Sequence, residues 1–391
     1  MLFYLTSYIY PIKTPIILSK ELNIILDNPR NKEEIDLIER NIKVSFDSPD
    51  IMYKFNHYFR FPIHDEVLGT MSLETCIKNF YNMYKNDDYV QEHKMNHQHT
   101  SIIRTLATMW LIIRFDDNGE INKIKDIIEE ENLKNGFVLL DDNNPIEKNA
   151  KTALDYSFLL SLLIQDDPDY YGESIIIHKS YNRLQDPKID IKLNRAIAFF
   201  GFSTYPVNQD ICKDALSWKI SFPCLRDKII KISKLIDVAL SNKIHKDKLI
   251  YMGNLLKISF NDIEDEKYKL VTYVGILELL LTHNPNFNRF NVEDSINKQF
   301  QIKVATLVYL YKDRKEPIIN IQKRLKIIYN QRSNIAHGNF KELNKYINNL
   351  SKKDCNVEYF EDLVIDTIFY IKVIILEYLK DPDFINFLKD S

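Results

Sequence analysis

Apolar residues recur at helical spacing with few interruptions from about Cys224 to the end of the chain, and Pro285 and Pro317 are the main breaks in this pattern. Only 8 glycines occur among 391 residues, which argues against Gly-rich phosphate loops and against glycine-punctuated β-sandwiches. The pattern therefore predicts an all-α bundle in the C-terminal part of the chain. Its helices are expected near residues 243–258, 266–283, 293–312, 317–336 and 356–380.

The N-terminal part follows a mixed pattern of strands and helices. Apolar residues alternate with polar ones at Ile42, Val44 and Phe46, which is the period of a half-buried strand. Similar reasoning predicts further strands at 53–61 and 174–177 and helices at 73–84, 101–113 and 150–163. The predicted fold class is mainly α, with a mixed α+β N-terminal domain of residues 1–240 and a helical domain of residues 241–391. No Pro/Gly/Ser-rich linker marks this boundary.

Composition and cysteine usage favour a cytoplasmic globular protein. Hydrophobic residues make up 45% and charged residues 27% of the chain, a balance typical of soluble globular proteins. The 4 cysteines are far apart and form no CxxC pair, which is typical of a reducing compartment. The first residues lack the basic segment and the cleavage site of a signal peptide. The most apolar run contains Asp366, Lys372 and Glu377, which a membrane span would avoid, so no membrane association is expected.

Charge is distributed unevenly, although the whole chain carries a formal net charge of only -3. Residues 312–353 contain eleven basic and three acidic residues, a net charge of +8, so the remainder carries -11. A basic surface on an acidic body suits phosphate binding. A solvated helix face is the alternative interpretation of the same charges.

An arginine on an apolar stripe stands out in the segment IIYNQRSNIAHGNF, residues 327–340. Arg332 follows the apolar positions Ile321, Leu325 and Ile328 at helical spacing, so its side chain is expected to face the bundle. A half-buried guanidinium needs an anionic partner, because its charge cannot be neutralised.

His337 follows Arg332 after four intervening residues, and Gly338 comes directly after it. Glycine is common just beyond the end of a helix, so Gly338 predicts that the helix ends here with His337 at its terminus. On an ideal helix, residues five apart are separated by about 140°. The Arg332 and His337 side chains therefore converge only if the helix frays at this point or if two copies of the chain meet.

The string RSNIAHG, residues 332–338, resembles the Arg-x4-His signature of HEPN ribonucleases, and most closely that of the Apea-like HEPN group. The upstream segment YVGILELLLTH, residues 273–283, resembles the first helix of that family, which often carries a glutamate among aliphatic residues. The resemblance covers roughly residues 245–391. It implies a HEPN-like helical bundle that cuts RNA as a homodimer, without a metal or any other cofactor.

The resemblance also implies catalytic roles for Arg332 and His337, and their chemistry suits RNA cleavage. A histidine can take a proton from a ribose 2′-hydroxyl near neutral pH. An arginine can hold the phosphate and the charge that builds on it during in-line attack. The expected products carry a 2′,3′-cyclic phosphate and a 5′-hydroxyl.

Two further residues are candidates for an auxiliary role in this site. The family often has Asn, Asp or His directly after the arginine, whereas here Ser333 follows it and Asn334 comes one residue later. Glu278 interrupts the apolar run of the upstream helix and is a candidate to orient the catalytic pair. It also lies about 20° from Lys267 around the helix, so a solvated position is the alternative.

Residues near the motif are candidates for RNA binding. Basic side chains suit phosphate, and aromatic side chains can stack on unpaired bases. The candidates are Lys323, Arg324, Lys326, Lys341 and Phe340, and Tyr311 is a further open aromatic position. The alternative is that these residues only solvate a helix face.

A metal site is not expected. His93 and His97 lie four residues apart, as two metal ligands on a helix would, and His99 follows closely. No HExxH glutamate accompanies them, however, and the segment is polar. Cys212 and Cys224 are interpreted as small buried apolar residues.

The resemblance implies a bacterial antiphage-defence or toxin effector that acts on RNA, with tRNA among the candidate substrates. A phage-derived trigger or an antitoxin is then the expected partner. The N-terminal domain is expected to sense a signal, to bind a partner or to restrain the activity of the C-terminal domain. The alternative is a non-catalytic HEPN-type dimerisation or ligand-binding module, in which Arg332 pairs with a carboxylate and His337 caps its helix. A nuclease should hold the two side chains in an open cleft, whereas a scaffold should bury Arg332 in an ion pair.

Overall fold

The computed structural model divides the chain into two compact units. One comprises Met1–Ile164 and Glu173–Asp237, and the other comprises Gln165–Gly172 and Val238–Ser391. The structure describes most of residues 2–35 together with 110–115, 138–139, 145–164, 180–181, 189–190, 216–282, 296–350 and 359–390. Across these ranges the fold is mainly helical, with a small antiparallel sheet near the N-terminus. Within them, none of the helices combines the length and the apolar character that a membrane crossing needs.

The N-terminal unit contains an antiparallel sheet. The described strands are β1 (Leu2–Ile9), β2 (Ile16–Ser19), β3 (Ile24–Asp27), β4 (Trp110–Phe115), β5 (Val138–Leu139), β6 (Ser180–Tyr181) and β7 (Ile189–Asp190). Five of them form a sheet in the order β2-β3-β4-β1-β6, in which every pair of neighbours is antiparallel. β5 and β7 pair separately in parallel.

Strand β4 lies inside this sheet and is largely apolar. Its buried apolar side chains are Leu111, Ile112, Ile113 and Phe115. α1 (Pro145–Ile164) packs against β4, and a strand whose faces are covered by other elements is expected to be apolar. α1 also confirms the helix predicted at 150–163. The helix predicted at 101–113 is wrong for residues 110–113, because a short continuous apolar run fits a strand as well as a helix.

Arg114 is the charged exception in β4. Its side chain is only 3% exposed, and its guanidinium donates hydrogen bonds to both carboxylate oxygens of Glu34 at 2.6 and 2.7 Å. It also donates to Asp27 Oδ2 at 3.2 Å and to the Asn28 carbonyl oxygen at 3.0 Å. Burial lowers the pKa of Arg114, but the two carboxylates outweigh burial and the pKa is raised. A buried cation thus links β4 to the end of β3 and to the segment that follows it.

We expect Arg114→Met to destabilise the protein strongly, because it removes the buried cation that binds the carboxylates of both Glu34 and Asp27. Removing one partner of a buried ion pair costs about 3–5 kcal/mol. Arg30→Met is the matched control, since Arg30 pairs with the same Asp27 but is 56% exposed, and its loss should cost less than about 1 kcal/mol. Urea denaturation followed by circular dichroism measures both changes, and equal losses would contradict this role for Arg114.

The C-terminal unit is a helical bundle around one central helix. Following α2 (Leu216–Leu240), its helices are α3 (Lys243–Asn261), α4 (Glu266–Leu281), α5 (Ile296–Tyr311), α6 (Ile318–Ala336), α7 (Phe340–Leu350), α8 (Phe360–Lys380) and α9 (Pro382–Asp390). α4 packs against α3, α5, α6, α8 and α9, and most of its apolar residues are therefore buried. The Asn242 and Asp265 side chains cap the first turns of α3 and α4.

The helices predicted for this part of the chain are confirmed, with ends that differ by a few residues. α7 and α9 are additions that the apolar pattern did not predict. Pro317 stands at the N-cap of α6, one residue before the helix, which is close to the first-turn position expected for it. The strands and helices predicted at 42–46, 53–61, 73–84 and 174–177 lie outside the described residues.

Candidate functional site

Helix α6 carries the Arg-x4-His segment, and one of its faces is buried in the bundle. Ile321, Leu325, Ile328 and Ile335 are each at most 7% exposed. This burial confirms the apolar stripe that the sequence predicts for Arg332. The arginine therefore leaves α6 on the side that meets the neighbouring helices.

The Arg332 side chain reaches from α6 to the central helix α4. Its Nη2 donates a hydrogen bond to Glu278 Oε2 at 2.8 Å. The two side chains are 25% and 17% exposed, so the ion pair is partly buried but keeps contact with solvent. Nε of Arg332 is buried and has no hydrogen-bond partner among the described residues. Glu278 is thus the anionic partner of the half-buried arginine rather than a fully solvated residue.

Tyr329 completes this cluster from one helical turn earlier on α6. The centre of its ring lies 5.7 Å from Arg332 Cζ and 5.3 Å from the centre of the Phe300 ring on α5. Burial raises the pKa of the Tyr329 hydroxyl, and the negative charge of Glu278 raises it further, against the opposing charge of Arg332. From the sequence, Tyr329 is a candidate for stacking on an unpaired base, but its place beside Ile328 favours packing in the core. Its spacing of three residues from Arg332 was the available signal that the two side chains would meet.

His337 stands at the C-cap of α6 with an exposed side chain. Gly338 follows with φ 69°, a conformation that residues with a Cβ rarely adopt. The Gly338 N–H donates to the Ile335 carbonyl at 3.2 Å, and the Asn339 N–H donates to the Asn334 carbonyl at 2.7 Å. This is the Schellman arrangement of a glycine-terminated helix, and it confirms the cap predicted at Gly338.

Arg332 and His337 leave α6 in different directions. The backbone is helical through Ala336, and the His337 N–H still bonds to the Ser333 carbonyl at 3.0 Å, so the helix does not fray between the two residues. Five residues of regular helix turn the side-chain direction by about 140°. Within one chain, Arg332 meets α4 while His337 faces solvent at the helix end.

Asn334 does not join the Arg332–Glu278 pair. Its Nδ2 donates to Gln331 Oε1 at 3.2 Å, and it lies about 160° around the helix from Arg332. Asn334 thus lies on the other side of α6 from the Arg332–Glu278 pair. The Glu278 carboxylate is therefore the auxiliary candidate that the structure brings to Arg332.

The candidate RNA-binding residues divide into two groups. Lys323 and Lys326 on α6 and Lys341 on α7 are exposed, and Phe340 is 53% exposed at the start of α7. These four side chains are accessible to a ligand. Arg324 differs, as its side chain is tied to another helix.

Arg324 forms an ion pair with α8. Its Nε donates to Asp366 Oδ2 at 2.5 Å, and only 19% of the arginine side chain is exposed. Burial raises the pKa of Asp366, while the positive charge of Arg324 opposes that rise. An arginine held in this way is a weaker candidate for RNA binding than the three exposed lysines.

Across the described ranges, no cluster of three or more His, Cys, Asp and Glu side chains is arranged to hold a metal ion. The predicted histidine cluster at 93–99 and Cys212 lie outside those ranges, and Cys224 is described only by its backbone in α2.

No protein-family model matches the chain, and neither the curated proteins nor the solved structures give a match. Any assignment of function therefore depends on the residues of the site itself.

We expect Gly338→Ala to lower the melting temperature, because a left-handed conformation costs a residue with a Cβ about 1–2 kcal/mol. Gly275→Ala is the matched control. A Cβ at Gly275, inside α4, meets nothing within 4 Å, and replacing a helical glycine by alanine should stabilise by about 0.5–1 kcal/mol. Thermal melting of the two variants should therefore shift in opposite directions. A Gly338→Ala protein as stable as the wild type would show that the cap does not require this conformation.

Proposed function

We propose that the C-terminal unit is a HEPN-type, metal-independent endoribonuclease that cleaves RNA by attack of a 2′-hydroxyl on the adjacent phosphate. The observation that carries the proposal is the end of α6, where Arg332 is anchored to Glu278 and Gly338 terminates the helix directly after an exposed His337. An oriented guanidinium and an accessible imidazole on a rigid element are the two groups that this reaction needs.

In the proposed reaction, His337 takes the proton of the ribose 2′-hydroxyl and Arg332 holds the scissile phosphate. The bond from the 2′-oxygen to phosphorus forms while the bond to the 5′-oxygen breaks. The 5′-oxygen takes up a proton, which leaves a 2′,3′-cyclic phosphate and a 5′-hydroxyl. A guanidinium has five N–H donors, and the single hydrogen bond to Glu278 leaves others for a phosphate.

The proposed site is composite and needs two copies of the chain. One α6 turns Arg332 and His337 about 140° apart, so a single chain does not aim both at one phosphate. In a two-fold homodimer formed through the bundle, Arg332 of one chain and His337 of the other can converge. The unfrayed helix between the two residues supports this arrangement.

The proposed substrate is RNA, with tRNA among the candidates. Exposed Lys323, Lys326 and Lys341 support it, since they add positive charge beside the motif. The proposed biological role is that of a bacterial antiphage-defence or toxin effector. The N-terminal unit then responds to a phage-derived trigger or to an antitoxin.

A non-catalytic HEPN-type dimerisation or ligand-binding module is the second candidate, and the Arg332–Glu278 ion pair favours it. A scaffold arginine would be held by a carboxylate, as Arg332 is. Two details favour the nuclease instead. A quarter of the Arg332 side chain is still exposed. A ring that caps the helix would form a hydrogen bond with it, whereas the His337 ring forms no hydrogen bond with the described residues.

The purified full chain is expected to cut total RNA or tRNA in excess EDTA, because neither His337 nor Arg332 needs a metal. His337→Ala and Arg332→Ala should each lower cleavage by about 100-fold or more, the usual size for a proton-transfer group or an oxyanion contact. Arg332→Lys should stay impaired, since lysine keeps the charge but loses the planar fork. Gel electrophoresis of the RNA, with end-group analysis of the products, measures these effects.

His245→Asn is the matched control for the loss of a histidine. Asparagine can keep the hydrogen bond that His245 Nδ1 forms with the Tyr378 hydroxyl at 2.6 Å, so cleavage should stay at the wild-type level. Circular dichroism and melting must accompany each variant, because Arg332 lies on a partly buried face. Activity that disappears in EDTA and returns with magnesium would contradict the mechanism, as would a His337→Ala protein within a few-fold of wild type.

Mixed dimers test the composite site directly. We expect that co-expression of inactive Arg332→Ala and His337→Ala chains restores cleavage. Half of the dimers are then mixed, and each mixed dimer has one intact site, so about a quarter of the wild-type activity should return. If both groups act within one chain, the mixture will remain as inactive as either variant alone.

A further inference from the structure

An open polar groove lies beside the motif, between α6 and α7, on a different side of α6 from Glu278. We call it the α6–α7 groove, and its volume is about 420 Å³. Its α6 wall includes Asn330, Ser333 and Asn334, which recur at i, i+3 and i+4 and so share one helix face. His337 continues the same face at i+7 and stands at the end of the wall.

The α7 wall has the same regular spacing. Glu342, Lys345 and Asn349 line the groove at i, i+3 and i+7, with Tyr346 between them. Lys345 Nζ and Glu342 Oε2 are 3.8 Å apart, so their charges largely offset each other. The groove is therefore close to neutral overall, although it lies in the most basic part of the sequence. A neutral groove rich in amide groups is better suited to a hydrogen-bonding ligand than to a phosphate.

The amide groups on α6 are already oriented relative to each other. Asn334 Nδ2 donates to Gln331 Oε1 at 3.2 Å, and Gln331 also lines the groove while only 7% exposed. This bond leaves Gln331 Nε2 to donate and Asn334 Oδ1 to accept. An adjacent donor and acceptor match the edge of a nucleobase, which presents the same two functions side by side.

We propose that the α6–α7 groove binds an unpaired nucleobase of the RNA and thereby selects the sequence that is cut. The inference deepens the proposed ribonuclease function and rests on it. Sequence-specific RNA recognition targets unstacked bases through hydrogen bonds to their edges, and the groove volume lies in the range of small-ligand sites. A base in the groove brings its own ribose toward the end of the wall where His337 stands.

The test measures binding to RNA that cannot be cut. Four 2′-O-methyl oligonucleotides, one for each base, are titrated against the full chain by fluorescence anisotropy. The wild type should prefer one base by about tenfold or more, the size expected of a paired hydrogen-bond contact. Asn330→Ala and Asn349→Ala change residues on opposite walls of the groove. Each should reduce the difference in affinity among the four oligonucleotides. The salt dependence of binding should not change, because amides do not contact phosphates.

Asn320→Ala is the matched control, since Asn320 is also an exposed asparagine on α6 but lies away from the groove. It should keep the wild-type base preference. The inference is overturned if the wild type binds all four RNAs equally, or if both groove variants, folded by circular dichroism, keep the wild-type preference. A groove variant that changes the oligomeric state instead would assign the groove to contact between chains and would overturn the inference as well.

The cleavage assay separates this inference from the proposed function. If His337→Ala abolishes cleavage while the groove variants keep the base preference, the ribonuclease stands and the groove assignment fails. If the groove variants flatten the preference while the wild type cuts no RNA, the groove stands as a base-binding site and the ribonuclease proposal fails.

Discussion

The ion pair between Arg332 and Glu278 links α6 to the central helix and fixes the direction of the Arg332 side chain. A guanidinium does not lose its proton, so an arginine on a bundle-facing stripe must meet either an anion or solvent. Glu278 supplies the anion from α4, which five other helices hold in position. Tyr329 covers the pair from the same face of α6. The direction of Arg332 is consequently fixed by the core of the bundle and not by a surface loop.

The position of His337 depends on the same helix. α6 is regular up to Ala336, and the two Schellman hydrogen bonds then fix the path of the chain after His337. Both groups of the proposed site are therefore positioned by one rigid element, which is the arrangement that preorganised catalysis favours. The same regularity keeps the two side chains apart, which is why the proposed site is composite.

The sequence predicted those parts of the site that local chemistry determines. The helical period predicts the apolar stripe that includes Ile328 and the inward position of Arg332. The conformational freedom of glycine predicts the cap at Gly338. The sequence named Glu278 as a candidate to orient Arg332 but left a solvated position open, because its angle around α4 is compatible with both and only packing decides between them. α7 was missed because polar residues dominate it and only Leu343 and Leu350 are buried. In β4, the apolar run was too short for its period to separate strand from helix.

The energetics of the ion pair support the proposed binding role, although the pair by itself also fits a scaffold. A partly buried Arg–Glu pair gains little stability, because desolvation offsets much of the attraction, and an apolar pair of similar volume is often at least as stable. Arg332 also keeps a buried Nε without a partner, and an unsatisfied donor of this kind costs about 1–3 kcal/mol. Replacing both residues by apolar ones would therefore cost the stability of the bundle little. An anion-binding site would keep them, because Glu278 holds the guanidinium in place while its exposed quarter stays open to a phosphate.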